Sequence, residues 1–298
     1  MNDIEASIAE LSSGVTDRPA GLQALIRNEP KNPGRILGIV RRSLKREAEG
    51  LIHKAQGRRI VHLFHLGKTG GTAIKAALAG HEKSGDYEVI LHDHALFLDQ
   101  IPTTEHFAFV LRDPVTRFVS GFYSRLRQEL PRHDGPWSPE EEAAFARFHT
   151  PNELALAISS TDSEARQSAA QAILKIRHIE SPQWRWFNDI NYFLSRRSKI
   201  LFIGFLESLD VDFMLFKRIL NLPPGIELPR DELQAHRSPA DFDKRLDDEA
   251  IRNLKIWYRK DYEFLEVCKK LAAEIRSRYD SSNDVPTDLV PGADVIRR

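Results

Sequence analysis

The stretch His65-Leu66-Gly67-Lys68-Thr69-Gly70-Gly71-Thr72-Ala73 combines the groups that bind an anion. Glycines let a backbone approach a ligand closely. A helix starting just after them aims its N–H groups and positive dipole end at the ligand. Lys68 adds a mobile positive charge, and Thr69 and Thr72 add hydroxyl donors. By physical design this is a phosphate or sulfate cradle; the plain alternative is a glycine-rich turn with an incidental lysine. The nucleoside-triphosphate loop G-x-x-x-x-G-K-[ST] fits poorly. Its first glycine would fall at 62, where His62 stands, and the glycines here follow the lysine. An ATP-dependent kinase is therefore the weaker reading.

A second anion site is written in Phe107-Ala108-Phe109-Val110-Leu111-Arg112-Asp113-Pro114, continuing through Ser120-Gly121-Phe122-Tyr123. An apolar strand delivers Arg112 at its C-terminal end, where open α/β sheets bind ligands. Ser120 lies about two turns into the following helix, and Gly121 beside it leaves room for close approach. Arg112 and Ser120 make a phosphate clamp, the guanidinium fork supplying charge-assisted bonds. Arg117 is expected to pair with Asp113 at i,i+4.

HLGKTGGTAI followed by FVLRDPVTRFVSGFY resembles the paired nucleotide motifs of sulfotransferases. The likeness is closest to the carbohydrate sulfotransferases that include heparan sulfate 2-O-sulfotransferase. It continues weakly through Ser181-Pro182-Gln183-Trp184, Phe202 to Glu207 and Trp257 to Tyr262, covering roughly residues 59–270. One departure is Gly67, where that family usually carries proline. The resemblance implies the donor 3′-phosphoadenosine-5′-phosphosulfate, with 3′,5′-bisphosphoadenosine as product. Lys68, Thr69, Gly70, Gly71, Thr72 and Ala73 would hold the 5′-phosphosulfate. Arg112 and Ser120 would hold the 3′-phosphate. The acceptor would be a saccharide or glycoconjugate.

Sulfuryl transfer to a hydroxyl needs a proton acceptor, alignment, and stabilisation of the leaving phosphate. Lys68 is the natural partner of the bridging oxygen. Histidine is the first candidate for the base, its pKa lying near working pH. His92-Asp93-His94 follows the Tyr87–Leu91 strand and resembles the His-x-His element that supplies the base in the heparan 2-O group. We expect His94 to be the base, with His92 as base or helper. Glu207, after a strand, is an alternative. His65 is expected to pack or orient the loop, and His62 to be a satisfied core histidine. Trp137, Trp184, Trp186, Tyr123 and Tyr192 offer flat faces for sugar rings, though aromatics at helical spacing usually fill cores. Arg125, Arg127, Arg132 and Arg185 either contact an anionic acceptor or form a solvated face. The scheme demands no metal, and no Cys/His cluster has zinc spacing.

The elements that must hold these residues follow from the pattern. Strands are expected at Ile60–His65, Tyr87–Leu91, Phe107–Leu111 and Lys199–Phe205, with helices between them. One helix starts at Asp113-Pro114, an N-cap followed by a first-turn proline. Further helical patterns cover 140–149, 152–159, 163–177, 183–195 and 208–220, and 246–278 is one long helix or two. Alternation of this kind implies an α/β fold, a P-loop-like three-layer arrangement with a mainly parallel sheet flanked by helices. Residues 1–57 read as a basic helical extension, 58–279 as the sulfotransferase domain and 280–298 as a loose tail.

Length and charge set the outer bounds. The 298 residues carry 43 Lys+Arg and 43 Asp+Glu. Hydrophobic residues at 41% and charged residues at 29% suit a soluble globular protein. The single cysteine, Cys268, excludes an intrachain disulfide and suits a reducing compartment. No apolar run approaches the ~20 residues of a membrane helix, and a cytoplasmic enzyme is expected. Overall neutrality argues against nucleic acid as partner. The positive charge is local: residues 27–59 are net +7. They read as a solvated helix on the main domain, or as a surface that meets an anionic membrane peripherally.

Overall fold

The computed structural model describes residues 33–130, 135–229 and 242–281. The expectations for the first 32 residues and for the tail beyond 281 lie outside these. Four strands form one all-parallel sheet: β1 (Ile60–Leu63), β2 (Glu88–Leu91), β3 (His106–Leu111) and β4 (Ile200–Phe205), in the order β2-β1-β3-β4. The near-continuous apolar runs of β1, β3 and β4 are those of strands covered on both faces, and they are buried. β1 sits between β2 and β3, with Leu63 opposite Leu91 on one side and Ala108 on the other. The order therefore reverses around β1. Its C-terminal end is the switch point where such sheets leave a crevice for ligands.

The α/β expectation holds, with helices flanking a parallel sheet. α2 (Gly71–Leu78) follows β1 and α3 (Pro114–Leu126) follows β3. As the sequence implies, Asp113 caps α3: its carboxylate accepts from Thr116 N at 2.9 Å. α4 (Pro139–Arg147), α5 (Pro151–Ala157) and α6 (Ser163–Lys175) form a helical layer with α9 (Asp248–Trp257). Phe118, Phe122, Phe145, Ile158, Ile173 and Trp257 are its core. α8 (Leu209–Leu220) and α10 (Arg259–Ser281) cover β4.

One helical expectation changes, and one left open is decided. The 183–195 pattern is a 3-10 turn, Gln183–Phe187, followed by a separate α7 (Ile190–Ser195). Asn188 between them takes φ 71° and ψ −79°, the pair of a γ-turn, which ends the 3-10 turn, and Asp189 caps α7 by accepting from Tyr192 N. The 246–278 pattern divides at Tyr258, whose hydroxyl donates to Ile179 O at 3.0 Å.

Ahead of β1 lies α1 (Pro33–Ala55). It meets the domain through polar contacts: Glu47 accepts from Thr103, and His53 Nδ1 lies 2.7 Å from Glu105. Gly50 packs so closely that a Cβ would come within 2.6 Å of Pro102. Leu44, Leu51 and Ile52 face outward. Among the described residues no helix is long and apolar enough to cross a membrane.

Candidate active site

β1 ends at Leu63, and the chain crosses the sheet edge as a tight loop before α2. Lys68 adopts φ 68° and Gly70 φ 89°. A Cβ on Gly70 would sit 2.8 Å from Leu206 Cδ1, and one on Gly71 would sit 2.4 Å from His65 Cδ2. Only glycine fits there. Thr69 is buried and its hydroxyl donates to Leu66 O at 3.1 Å. It braces the loop from within, so the hydroxyl expected to meet the anion is turned away. Thr72 Oγ1 lies 3.4 Å from His65 Nε2, and Ala73 N donates to Gly70 O in the first turn of α2. Lys68 Nζ reaches across to donate to Ser124 Oγ at 3.2 Å. Burial lowers its pKa to about 7, with Arg127 and Arg112 adding repulsion and Glu129 opposing them.

The second wall is α3. Thr116, Ser120 and Ser124 recur every four residues and so share one face. Arg112, at the end of β3, donates from Nε to Thr116 Oγ1 at 3.0 Å and from Nη1 to Lys68 O at 3.2 Å. Gln183 fixes its backbone with a pair of hydrogen bonds, 3.0 and 2.7 Å. Both expected anion motifs thus touch each other, and Ser120 lies one turn beyond Thr116. Arg117 does not pair with the Asp113 carboxylate. That carboxylate is already engaged by Thr116 N and by Tyr262 Oη at 2.8 Å. Arg117 instead turns inward, fully buried, and donates to Gly67 O at 2.9 Å. Glu207 accepts from Asp113 N at 2.9 Å, which ties it to the Arg112 end of the site.

The two candidate bases diverge. His94 Nδ1 lies 2.7 Å from His65 O. A carbonyl only accepts, so Nδ1 carries the proton and Nε2 keeps a lone pair. The His94 ring lies 4.1 Å from that of His65 and 6.2 Å from that of His178. His92 points elsewhere: its Nε2 is 2.8 Å from His62 Nδ1, and His62 Nε2 is 2.6 Å from Glu105. Burial and the neighbouring His62 push the His92 pKa down to about 4. His62 is the satisfied core histidine the sequence suggests.

A family model described as Sulfotransferase family matches residues 64–266. The chain belongs to the sulfotransferase family. The match reaches the family as a whole and not the heparan sulfate 2-O-sulfotransferase group. No curated protein matches this sulfotransferase.

Several groups at the candidate site of this sulfotransferase carry no motif. His178, on the turn after α6, hydrogen-bonds Glu129 at 2.8 Å. Glu129 is also within 3.0 Å of Arg177 and 3.4 Å of Arg125. The His178 hydrogen bond leads the influences that hold the Glu129 pKa down at about 2. Arg127 acts electrostatically on Lys68, and its Nε and Nη1 are buried without a hydrogen-bond partner among the described residues. Four of the six described non-glycine residues with positive φ belong to this neighbourhood: Lys68, Gln128, Glu129 and His178. Such conformations collect at functional sites, but nothing in local spacing announces them.

The expected acceptor contacts sort differently. Arg125 is buried in a bidentate pair with Glu141, both contacts 2.6 Å, so its role is structural. Arg132 lies outside the described residues. Arg185 donates to Ser181 Oγ. Trp137 and Tyr123 pack on Phe145 and Phe242. Trp184 and Tyr192 pack against the sheet core. Trp186 remains at the site, its Nε1 donating to His94 O at 2.9 Å.

Proposed function

We propose that this sulfotransferase moves a sulfuryl group from 3′-phosphoadenosine-5′-phosphosulfate to a hydroxyl of a saccharide or glycoconjugate, with His94 as general base. That donor is typical of the family. The observation carrying the reading is His94 held by the carbonyl of His65, the first residue of the loop that bears Lys68. The fit to the donor rests on the tight loop that Gly70 and Gly71 allow against Leu206 and His65, and on the Arg127 nitrogens left without a partner among the described residues.

When bound, the donor supplies an activated S–O bond. Lys68 through Ala73 would hold the 5′-phosphosulfate, with the Thr69 hydroxyl engaged by Leu66 O, and Arg112 and Ser120 would hold the 3′-phosphate. His94 Nε2 takes the hydroxyl proton as the acceptor oxygen bonds to sulfur. Lys68 meets the charge growing on the departing phosphate. His92 takes no direct part in this scheme, since its Nε2 is occupied by His62. Trp186 offers a ring face beside His94.

The test pairs sulfur-labelled donor and a glycan panel with calorimetry of 3′,5′-bisphosphoadenosine. Label transfer to a saccharide is the expected result. No binding of the bisphosphate sinks the reading. Binding of the bisphosphate by the wild type without turnover on any acceptor marks a non-catalytic nucleotide binder. Magnesium-dependent ATP consumption marks a kinase.

We further propose that α1 meets an anionic lipid surface. The outward Leu44, Leu51 and Ile52 support this, as does the net +7 of residues 27–59. Co-sedimentation with phosphatidylglycerol vesicles should be lost in an L44S/L51S/I52S variant. Unchanged sedimentation overturns the idea.

A further inference from the structure

We propose that Glu129 is a positioning residue of the transfer site: it holds His178 against the phosphate loop and sets one negative charge among the arginines that surround Lys68. The inference rests on the sulfuryl-transfer reading above for its purpose, though not for its test.

The backbone is the first argument. Gln128 and Glu129 are consecutive left-handed residues, φ 55° and 65°, and neither is glycine. The turn is closed by Glu129 N donating to Ser124 O at 2.8 Å and Gly135 N donating to Gln128 O at 2.9 Å. A helix C-terminus seldom takes this path without glycine. Here the path folds the Glu129 backbone back onto Ser124, the residue whose hydroxyl meets Lys68, while its carboxylate meets His178, Arg177 and Arg125.

His178 is the second argument. It too is left-handed, φ 76°, and its Nε2 sits 2.8 Å from Glu129. A carboxylate only accepts, so Nε2 carries the proton and Nδ1 keeps its lone pair. A Cβ built on Gly67 would lie 3.2 Å from that Nδ1. The imidazole therefore rests on the loop one residue before Lys68. Gly67 is where the resembling family carries proline, and a side chain there would crowd His178.

Charge is the third argument. Lys68 faces the repulsion of Arg127, Arg112 and Arg117, and Glu129 is the acid that opposes them. Glu129 also acts on His94, which in addition feels Lys75 and Asp93. Glu129 itself meets Arg125, Arg177 and His178. Arg125 already has Glu141 in a bidentate pair, so neutralising Arg125 does not require Glu129.

The closing experiment reads titration directly. Lys68 is followed by NMR after reductive methylation with labelled formaldehyde, and His178 and His94 through their ring protons, in wild type and E129Q. E129Q keeps the shape and removes the charge. The midpoints of Lys68 and His178 should fall by about one unit, the scale on which a close charge acts. Wherever turnover is measurable, both limbs of the pH–rate profile should move to lower pH. E129D, which keeps the charge one methylene further away, should shift the midpoints in the same direction by less. It serves alone should E129Q fail to fold. Unmoved midpoints overturn the proposal, as does a loss of melting temperature without any titration shift. Failure of the transfer reading shows separately, as absence of bisphosphoadenosine binding to wild type.

Discussion

Lys68 is half neutral near pH 7, because burial and three arginines act against its charge. An anionic nucleotide restores the proton. Binding 3′,5′-bisphosphoadenosine at pH 8 should therefore take up close to one proton, seen as a dependence of the calorimetric heat on buffer ionisation. K68M should abolish that uptake and lower turnover ~10²-fold or more, the scale of losing one charge-stabilising donor. The sign for folding is opposite. Above about pH 7 the folded protein sheds a proton that the unfolded chain keeps, so the penalty that burying Lys68 places on folding is relieved as pH rises, while ligand binding weakens. H94A should cost ~10²–10⁴-fold in turnover with bisphosphoadenosine affinity retained; unchanged turnover would dismiss His94 as base. The residues of this chemistry were legible where they cluster along the chain. Lys68, Gly70, Gly71 and Arg112 lie in short motifs whose spacing implies a loop and a strand end. Glu129 and His178 were not legible. They meet 49 residues apart through two left-handed turns, which no local period encodes.

α3 is the element on which the site turns. One face carries Thr116, Ser120 and Ser124 toward the loop, while Phe118 and Phe122 enter the helical core. Gly121 lets it approach the turn bearing His178, where a Cβ would come 2.5 Å from Ile179 Cγ2. G121A should displace that turn, destabilising by ~1–3 kcal/mol as overpacking does. Its activity should fall further than a stability-matched core variant such as I173V; equal falls would show that the turn does not position the site. Strand and helix positions were readable because apolar runs and caps are local signals. The Asp113-Pro114 start and the four strands came out within a residue or two. The 183–195 helix did not, since its apolar spacing continues through Asn188 while Asp189 begins a new cap. The 163–177 pattern overran by two residues, and the turn carrying His178 begins where α6 ends.

Across the whole molecule, a net charge of zero conceals an uneven distribution. Lys68 and Arg112 lie at the switch point of one small sheet, and residues 27–59, around α1, carry a local net +7. Composition could exclude a disulfide scaffold and a membrane span, but not locate these charges. What unites the molecule is α10. Its Tyr262 hydroxyl holds the Asp113 cap, and its Asp261 accepts from Trp184 N beside the glutamine that fixes Arg112. The Tyr262–Asp113 contact spans 149 residues. On the ribosome, the loop and the clamp are therefore synthesised long before the residue that secures them. Stalled nascent chains ending before Tyr262 should fail to bind immobilised 3′,5′-bisphosphoadenosine, and chains in which α10 has fully emerged should bind it. On this expectation, nucleotide capture would mark the completion of translation.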